Sequence, residues 1–175
     1  MYKYFIFLII FLIYFNSVSM ASSGIEKSGD VVQVLIPSAA ILGIWYLSDY
    51  DGLIQFYKSF AVNLGITYGL KYSIDKKRPD GKSKSFPSGH TSAAFQSAAF
   101  IHKRYGIEYG VPAYLAASFV GYSRVESDRH YWEDVIAGAV IGTASSFYFT
   151  KSYKHPIITP IVSNKKYGLF ITKYW

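Results

Sequence analysis

Cysteine is absent from the chain, which excludes disulfide bridges, thiolate-bound zinc and a thiol nucleophile together. Charge is scarce as well: Asp, Glu, Lys and Arg make up 17% of the residues, where a soluble domain usually has about a quarter. Acidic residues are the rarer sign, 11 against 18 Lys and Arg, for a formal net charge of +7. A disordered chain or a nucleic-acid-binding tail needs many charges and few apolar residues, so neither class fits and no nucleic-acid partner is expected. The basic excess favours anionic partners without choosing among them. No internal repeat or low-complexity tract is present, so the chain is not a solenoid or an array. His and carboxylate residues do not recur at coordinating intervals, so no metal site is expected.

What is abundant is apolar and aromatic. Hydrophobic residues reach 51% and aromatic residues 19%, with 17 Tyr, 13 Phe and 3 Trp, a composition suited to bilayer contact. A length of 175 residues fits one domain. Lys3, the apolar stretch from Tyr4 to Phe15, and the small polar residues from Asn16 to Ser23 follow the order of a secretory signal peptide. Residues 1–21 are therefore expected to be a signal peptide or a retained N-terminal anchor, either of which directs the chain out of the cytoplasm. Residues 22–30 read as a polar linker, 31–154 as a helical domain and 155–175 as a C-terminal tail.

Within the domain, apolar segments run over Val31 to Leu47, Leu53 to Tyr72, Pro87 to Tyr105, Glu108 to Tyr122 and Tyr131 to Phe149. The first is long enough to cross a bilayer. The last is rich in Gly, Ala and Ser, which let helices approach closely. The tail mixes β-branched and aromatic residues around Asn164-Lys165-Lys166, the pattern of a strand pair. The expected fold class is all-α: an up-and-down helical bundle, embedded in a membrane, with a short strand-like C-terminal tail.

Three polar clusters interrupt this apolar chain. Lys71 is followed after six residues by Arg78-Pro79; Pro87-Ser88-Gly89-His90 opens the third segment; Ser123-Arg124, His130 and Asp134 span the fourth and fifth. In a bundle with short connections, successive helix ends alternate between faces, and all three clusters then fall on one face. Lys71, Arg78 and Arg124 supply cations, two of them guanidinium forks suited to phosphoryl oxygens. Ser88 and Gly89 open a helix whose N–H groups and dipole can meet the same anion. His130 and Asp134, four apart, would share a helix face, so that the carboxylate fixes the imidazole tautomer and leaves the other nitrogen to attack. His90 is then the spare imidazole, placed to protonate a departing oxygen. Taken singly, each cluster has a plainer explanation: a basic helix flank, a helix cap, a surface i,i+4 pair. Their joint order and spacing favour a phosphate site. His102 and His155 have no partner pattern and are expected at the surface, while Asp75, Asp80, Glu126 and Asp128 read as solvated loop charges.

Lys-x6-Arg-Pro, Pro-Ser-Gly-His and Ser-Arg-x5-His-x3-Asp, in this order, resemble the three signatures of the type 2 phosphatidic acid phosphatase (PAP2) superfamily, which also holds bacterial acid phosphatases and vanadium haloperoxidases. The resemblance covers Lys71 to about Gly142. It implies His130 as nucleophile held by Asp134, His90 as general acid, and Lys71, Arg78, Ser88, Gly89 and Arg124 as phosphate ligands, with no metal or other cofactor. The expected function is that of an exported, membrane-associated lipid phosphatase. Its substrates would be phospholipid, polyprenyl or lipid A phosphates, met at the periplasmic or outer side of an inner membrane. Glu126, Ser127 and Asp128 are more charged than membrane relatives often are, which bears on substrate identity. Three other expectations share the sequence: a soluble periplasmic acid phosphatase, a vanadium-dependent haloperoxidase, and a non-enzymatic envelope protein. The sequence leaves the oligomeric state open.

Overall fold

Small residues on the third apolar segment decide the architecture. The computed structural model describes residues 24–153, together with the backbone of 157–163 and 166–172; the expected signal peptide or anchor at 1–21, and His155, lie outside the described residues. Among the described residues five helices run in order: α1 (Gly24–Tyr46), α2 (Tyr50–Ile74), α3 (Gly89–Tyr105), α4 (Ile107–Glu126) and α5 (Trp132–Phe149). Helix α3 is central and packs against the other four, while α1 lies on α4 and α2 on α5. Surrounded this way, it cannot show the one-sided apolar stripe of a surface helix. Accordingly Ala93, Ala94, Ala98, Ala99, Ser92 and Ser97 are all buried. Close approach is completed from α5, where a Cβ at Gly138 would stand 2.6 Å from the Ser88 carbonyl and one at Gly142 would overlap that of Ser92.

Two apolar clusters fill the bundle, one around Phe56, Phe60 and Phe100, the other around Ile36, Ala98 and Val120. Between α2 and α3 the core is polar instead. Gln96 Nε2 donates to Ser59 Oγ at 2.7 Å, Asn63 Nδ2 to Ser92 Oγ at 3.3 Å, and the Thr67 and Ser92 hydroxyls meet at 3.0 Å. Such interhelical hydrogen bonds suit a bundle whose outside is apolar, because they hold helices together where burial of greasy surface cannot.

Helix ends place the polar clusters. Ser88 caps α3, its Oγ accepting from the Thr91 N–H at 3.4 Å. At the opposite end of α3, Gly106 at φ 117° carries the chain into α4, its N–H bonded to the His102 carbonyl at 3.0 Å; a residue with a side chain would be strained there. That opposite end is tied by Arg104, which donates from Nε to Asp49 Oδ2 at 2.7 Å, from Nη2 to Asp49 Oδ1, and from Nη1 to the Lys151 carbonyl at 2.8 Å. The two side chains are 7% and 3% exposed. Truncating Arg104 to Ala leaves the buried Asp49 carboxylate without its counter-charge, held only by the Gly52 N–H and the Tyr105 hydroxyl, and is expected to cost about 3 kcal/mol, measured as a lowered unfolding midpoint of the purified protein.

The structure departs from the sequence expectations in three places. The polar stretch expected as a linker is helical from Gly24 onward and forms the first turns of α1. His102, expected at the surface, is half-buried between Tyr114 and Phe147, with its ring centroid 5.8 and 5.4 Å from theirs. His130 lies just before α5 rather than on it. The strand-like tail is present as an antiparallel pair, β1 (Ile157–Ser163) and β2 (Lys166–Thr172), with Pro160 opposite Leu169.

The outer surface of the bundle is strongly apolar. Exposed side chains include Val31, Leu35 and Leu42 on α1, Ile54, Val62 and Ile66 on α2, Val111, Leu115 and Phe119 on α4, and Ile136 and Val140 on α5. Exposed aromatic residues bracket this band, Tyr72, Tyr122, Tyr131 and Trp132 at one end and Trp45, Tyr46, Tyr50, Tyr109 and Tyr148 at the other. Among the described residues, α1 alone is long and apolar enough by composition to cross a membrane, with a mean hydropathy of 1.4.

Candidate active site

The turn between α4 and α5 sets the site's geometry. The Arg124 carbonyl accepts from the N–H groups of both Arg129 and His130, at 3.0 and 3.2 Å, which locks His130 against the end of α4. Asp134, in the first turn of α5, accepts from the Tyr131 N–H at 3.0 Å and so caps the helix. The same oxygen lies 3.7 Å from His130 Nδ1. The expected His130–Asp134 proximity is therefore present, produced by a helix-capping turn and not by two positions on one helical face. Both side chains are buried, at 3% and 0% exposure.

The loop from Asp75 to Ser88 closes over this pair. Ser85 is fully buried; its hydroxyl donates to Asp134 Oδ2 and stands 3.4 Å from His130 Nδ1. On the other carboxylate oxygen, Lys76 Nζ donates to Asp134 Oδ1 at 2.8 Å. Lys71, at the end of α2, directs its ammonium to the carbonyls of Lys84 and Pro87 at 2.9 and 2.7 Å, with that of Ser85 at 3.5 Å. It thereby shapes the loop that carries Ser85 and Ser88. The Ser88 N–H bonds the Asp134 carbonyl at 2.9 Å, joining the start of α3 to the start of α5. A Cβ at Gly89 would find only Thr67 within 4 Å, at 4.0 Å, so contacts within the protein do not demand a glycine there.

The first turns of α1 complete the rim. Arg124 donates from Nη1 to Asp30 Oδ1 at 2.8 Å, from Nη2 to the Glu26 carbonyl at 2.7 Å and from Nε to Ser123 Oγ at 3.2 Å. Arg129 bridges Glu26 and Asp80, at 2.7 and 3.0 Å. His90 Nε2 lies 3.2 Å from Asp30 Oδ1. Glu126, Ser127 and Asp128 line an open cleft with Glu26, Asp80 and Lys82.

All eight residues singled out in the sequence thus gather at one end of the bundle. Lys71 and Arg124 make several bonds to protein groups, whereas Arg78 Nε is buried with no hydrogen-bond partner among the described residues. An uncompensated guanidinium nitrogen beside a buried imidazole is costly unless an anion completes it. Burial, then the positive charges of Lys71 and Arg78, push the His130 imidazole well below its ordinary range, with His90 adding to this and Asp134 opposing it. His130 is therefore neutral near pH 7 and its lone pair is available. The arrangement gathers guanidinium and ammonium groups, a neutral buried imidazole and a second imidazole at one end of the bundle, a set suited to an anion.

Sequence reasoning missed Asp30, Glu26 and Ser85. Ser85 stands three residues before Ser88 in a loop that looks solvated, and Glu26 and Asp30 sit in a stretch whose Gly, Ser and charged residues imitate a linker. The spacing of Glu26 and Asp30, one helical turn apart, is the signal that could have placed them on one face.

The PAP2 superfamily model matches residues 9–157. Over 124 residues the chain is 37% identical to a lipid A 1-phosphatase of Porphyromonas gingivalis, covering 65% of this chain and 28% of that protein. Over 88 residues it is 40% identical to lipid phosphate phosphatase 1 of Arabidopsis thaliana, covering 42% and 27%. The chain thus spans less than a third of the length of either relative. Among solved structures, Aquifex aeolicus LpxE superposes with a TM-score of 0.62 at 19% identity, over 78% of this chain and 92% of that one, a likeness of fold. The first transmembrane PAP2-type phosphatidylglycerolphosphate phosphatase from Bacillus subtilis superposes with a TM-score of 0.57 at 28% identity, over 72% and 71%.

Proposed function

Because the chain belongs to the PAP2 superfamily, we propose that it is a membrane-embedded lipid phosphatase that removes a phosphate from a lipid monoester or diphosphate through a phosphohistidine. The observation that carries this is the buried Arg78 Nε, without a hydrogen-bond partner among the described residues, beside a buried neutral His130. The membrane assignment rests on the apolar band bracketed by exposed Tyr and Trp, the arrangement of a protein crossing two interfaces. The names of the relatives, lipid A 1-phosphatase and lipid phosphate phosphatase among them, point to the same substrate class. Residues 1–21 serve as signal peptide or anchor, and the polar end of the bundle faces the periplasm or the outside.

In this mechanism the phosphoryl group is held by Arg78, Arg124 and the Ser88–Gly89 start of α3, where N–H groups and helix dipole favour an anion, while Lys71 adds positive charge and its ammonium holds the loop. His130 Nε2 attacks phosphorus, and a P–N bond forms as the P–O bond to the lipid breaks. His90 gives its proton to the departing oxygen. Water, deprotonated by His90, then attacks the phosphohistidine and releases inorganic phosphate. Asp134 holds Nδ1, partly through the Ser85 hydroxyl. Replacing Ser85 with Ala removes that hydroxyl; a hydrogen bond to a charged group contributes about 1.5–3 kcal/mol, so kcat is expected to fall about 10- to 100-fold with KM little changed.

The test is phosphate release by the purified protein from phosphatidic acid, phosphatidylglycerol phosphate, a polyprenyl diphosphate, lipid A and soluble phosphomonoesters. Turnover of one or more lipids ahead of the soluble esters is expected. Turnover of soluble esters alone would return the soluble acid-phosphatase alternative.

A further inference from the structure

The first turns of α1 bring into the site a carboxylate that none of the three sequence clusters contains. Asp30 Oδ1 is shared by Arg124 Nη1 at 2.8 Å and His90 Nε2 at 3.2 Å. A carboxylate bridging two groups assigned to the substrate could be a plug standing where phosphate belongs, or a fixed part of the machinery. The surroundings decide for the second. Arg124 is 3% exposed and is held from the same helix by the Glu26 carbonyl and from its own by Ser123 Oγ. Helix α1 can come this near only because residue 29 is glycine, where a Cβ would overlap Ser123 and stand 2.8 Å from Arg124 Nη2. Asp30 is thus one member of a built cradle, and it occupies only one of the two nitrogens of His90.

We infer that Asp30 is a positioning residue for the leaving-group side of the reaction, holding the His90 imidazolium through Nε2–H so that Nδ1–H faces the departing oxygen, and fixing the Arg124 fork beside it. This rests on the proposed role of His90 as general acid. As the P–O bond breaks, its electron pair stays on the lipid oxygen and takes the Nδ1 proton. The neutral imidazole keeps Nε2–H on Asp30 and, in the second half-reaction, takes a proton from the attacking water at Nδ1. Asp30 therefore does for His90 what Asp134 does for His130, from a different helix and on the opposite step.

Burial holds the His90 imidazole below its ordinary range; Asp30 from α1 opposes this, and the positive charges of Arg124 from α4 and Arg78 from the α2–α3 loop add to it, with His130 across the site. Removing Asp30 leaves cations and a neutral imidazole, so the protonated acid is lost at lower pH. The experiment compares wild type, Asp30→Asn and Asp30→Glu, as full chains in mixed micelles, on a long-chain alkyl phosphate and on a long-chain alkylated nitrophenyl phosphate, whose leaving group needs little protonation. For Asp30→Asn, kcat/KM on the alkyl ester is expected to fall about 10- to 100-fold, within the usual range for general acid catalysis, and on the aryl ester by a distinctly smaller factor, set by the loosened Arg124 fork alone. The basic limb of the alkyl profile moves down by about one pH unit. Asp30→Glu, which keeps the charge, retains that limb, and loss of the limb in this variant overturns the inference even if Asp30→Asn does not fold. Equal losses on both esters with an unmoved limb would show a merely structural residue, and a rise in kcat/KM would show a plug; either overturns it. A wild-type protein that hydrolyses neither ester fails at the phosphatase level, a different and recognisable result.

Discussion

Replacing His130 with Asn is expected to lower phosphate release by at least about 10⁴-fold, the scale on which removal of a covalent nucleophile acts. The imidazole is 3% exposed, with Asp134 and the Ser85 hydroxyl at its Nδ1 side, so Asn fits the space but has no nitrogen lone pair for phosphorus. The same substitution carries a stability signature. Burial and neighbouring cations hold the folded-state pKa of His130 below its unfolded value. Its contribution to stability is therefore complete above the ordinary imidazole pKa of about 6.5 and is lost as pH falls from there through the folded value, because the unfolded state binds the proton first. Unfolding midpoints measured between pH 7 and 5 should fall for wild type and fall less steeply for His130→Asn.

Arg78→Lys is the second large effect expected, about 10²- to 10³-fold in kcat/KM, comparable to removing one preorganised donor from a developing anion. The charge survives this change, but the planar fork does not, and the lost donors include the Nε that has no partner among the described residues. Arg124→Lys differs in kind. It breaks a set of bonds to Asp30, Glu26 and Ser123, so it should loosen α1 as well as phosphate binding. The two variants separate in a thermal melt: Arg78→Lys close to wild type, Arg124→Lys lower.

Much of this was legible in the sequence because the clusters fall at helix ends, and an antiparallel bundle returns alternate ends to one face. The five helices among the described residues, the strand pair of the tail and the gathering of Lys71, Arg78, His90, Arg124, His130 and Asp134 follow from apolar runs and the breaks between them. What escaped were side chains whose role depends on a neighbour distant in sequence. Glu26 and Asp30 pair with Arg129 and Arg124, about a hundred residues away, and no local pattern distinguishes an acidic helix end inside a site from a solvated one. Ser85 depends in the same way on a loop folding back over His130. Lys71 has the right charge at the right place, yet its bonds run to loop carbonyls, a choice set by the path of a loop that composition does not specify. The four-residue spacing of His130 and Asp134 gave the correct proximity through the wrong local structure, since a capping turn brings such a pair together as readily as a helical face.

If His130 Nε2 takes the phosphoryl group, rapid quenching of the purified protein with a lipid phosphate radiolabelled in that group traps it on the imidazole. The expected label on the protein survives alkali, is lost in acid, maps to the peptide containing His130 and is missing from His130→Asn. Steady turnover by wild type with no such label, or a label on another residue that persists in His130→Asn, would contradict transfer to His130.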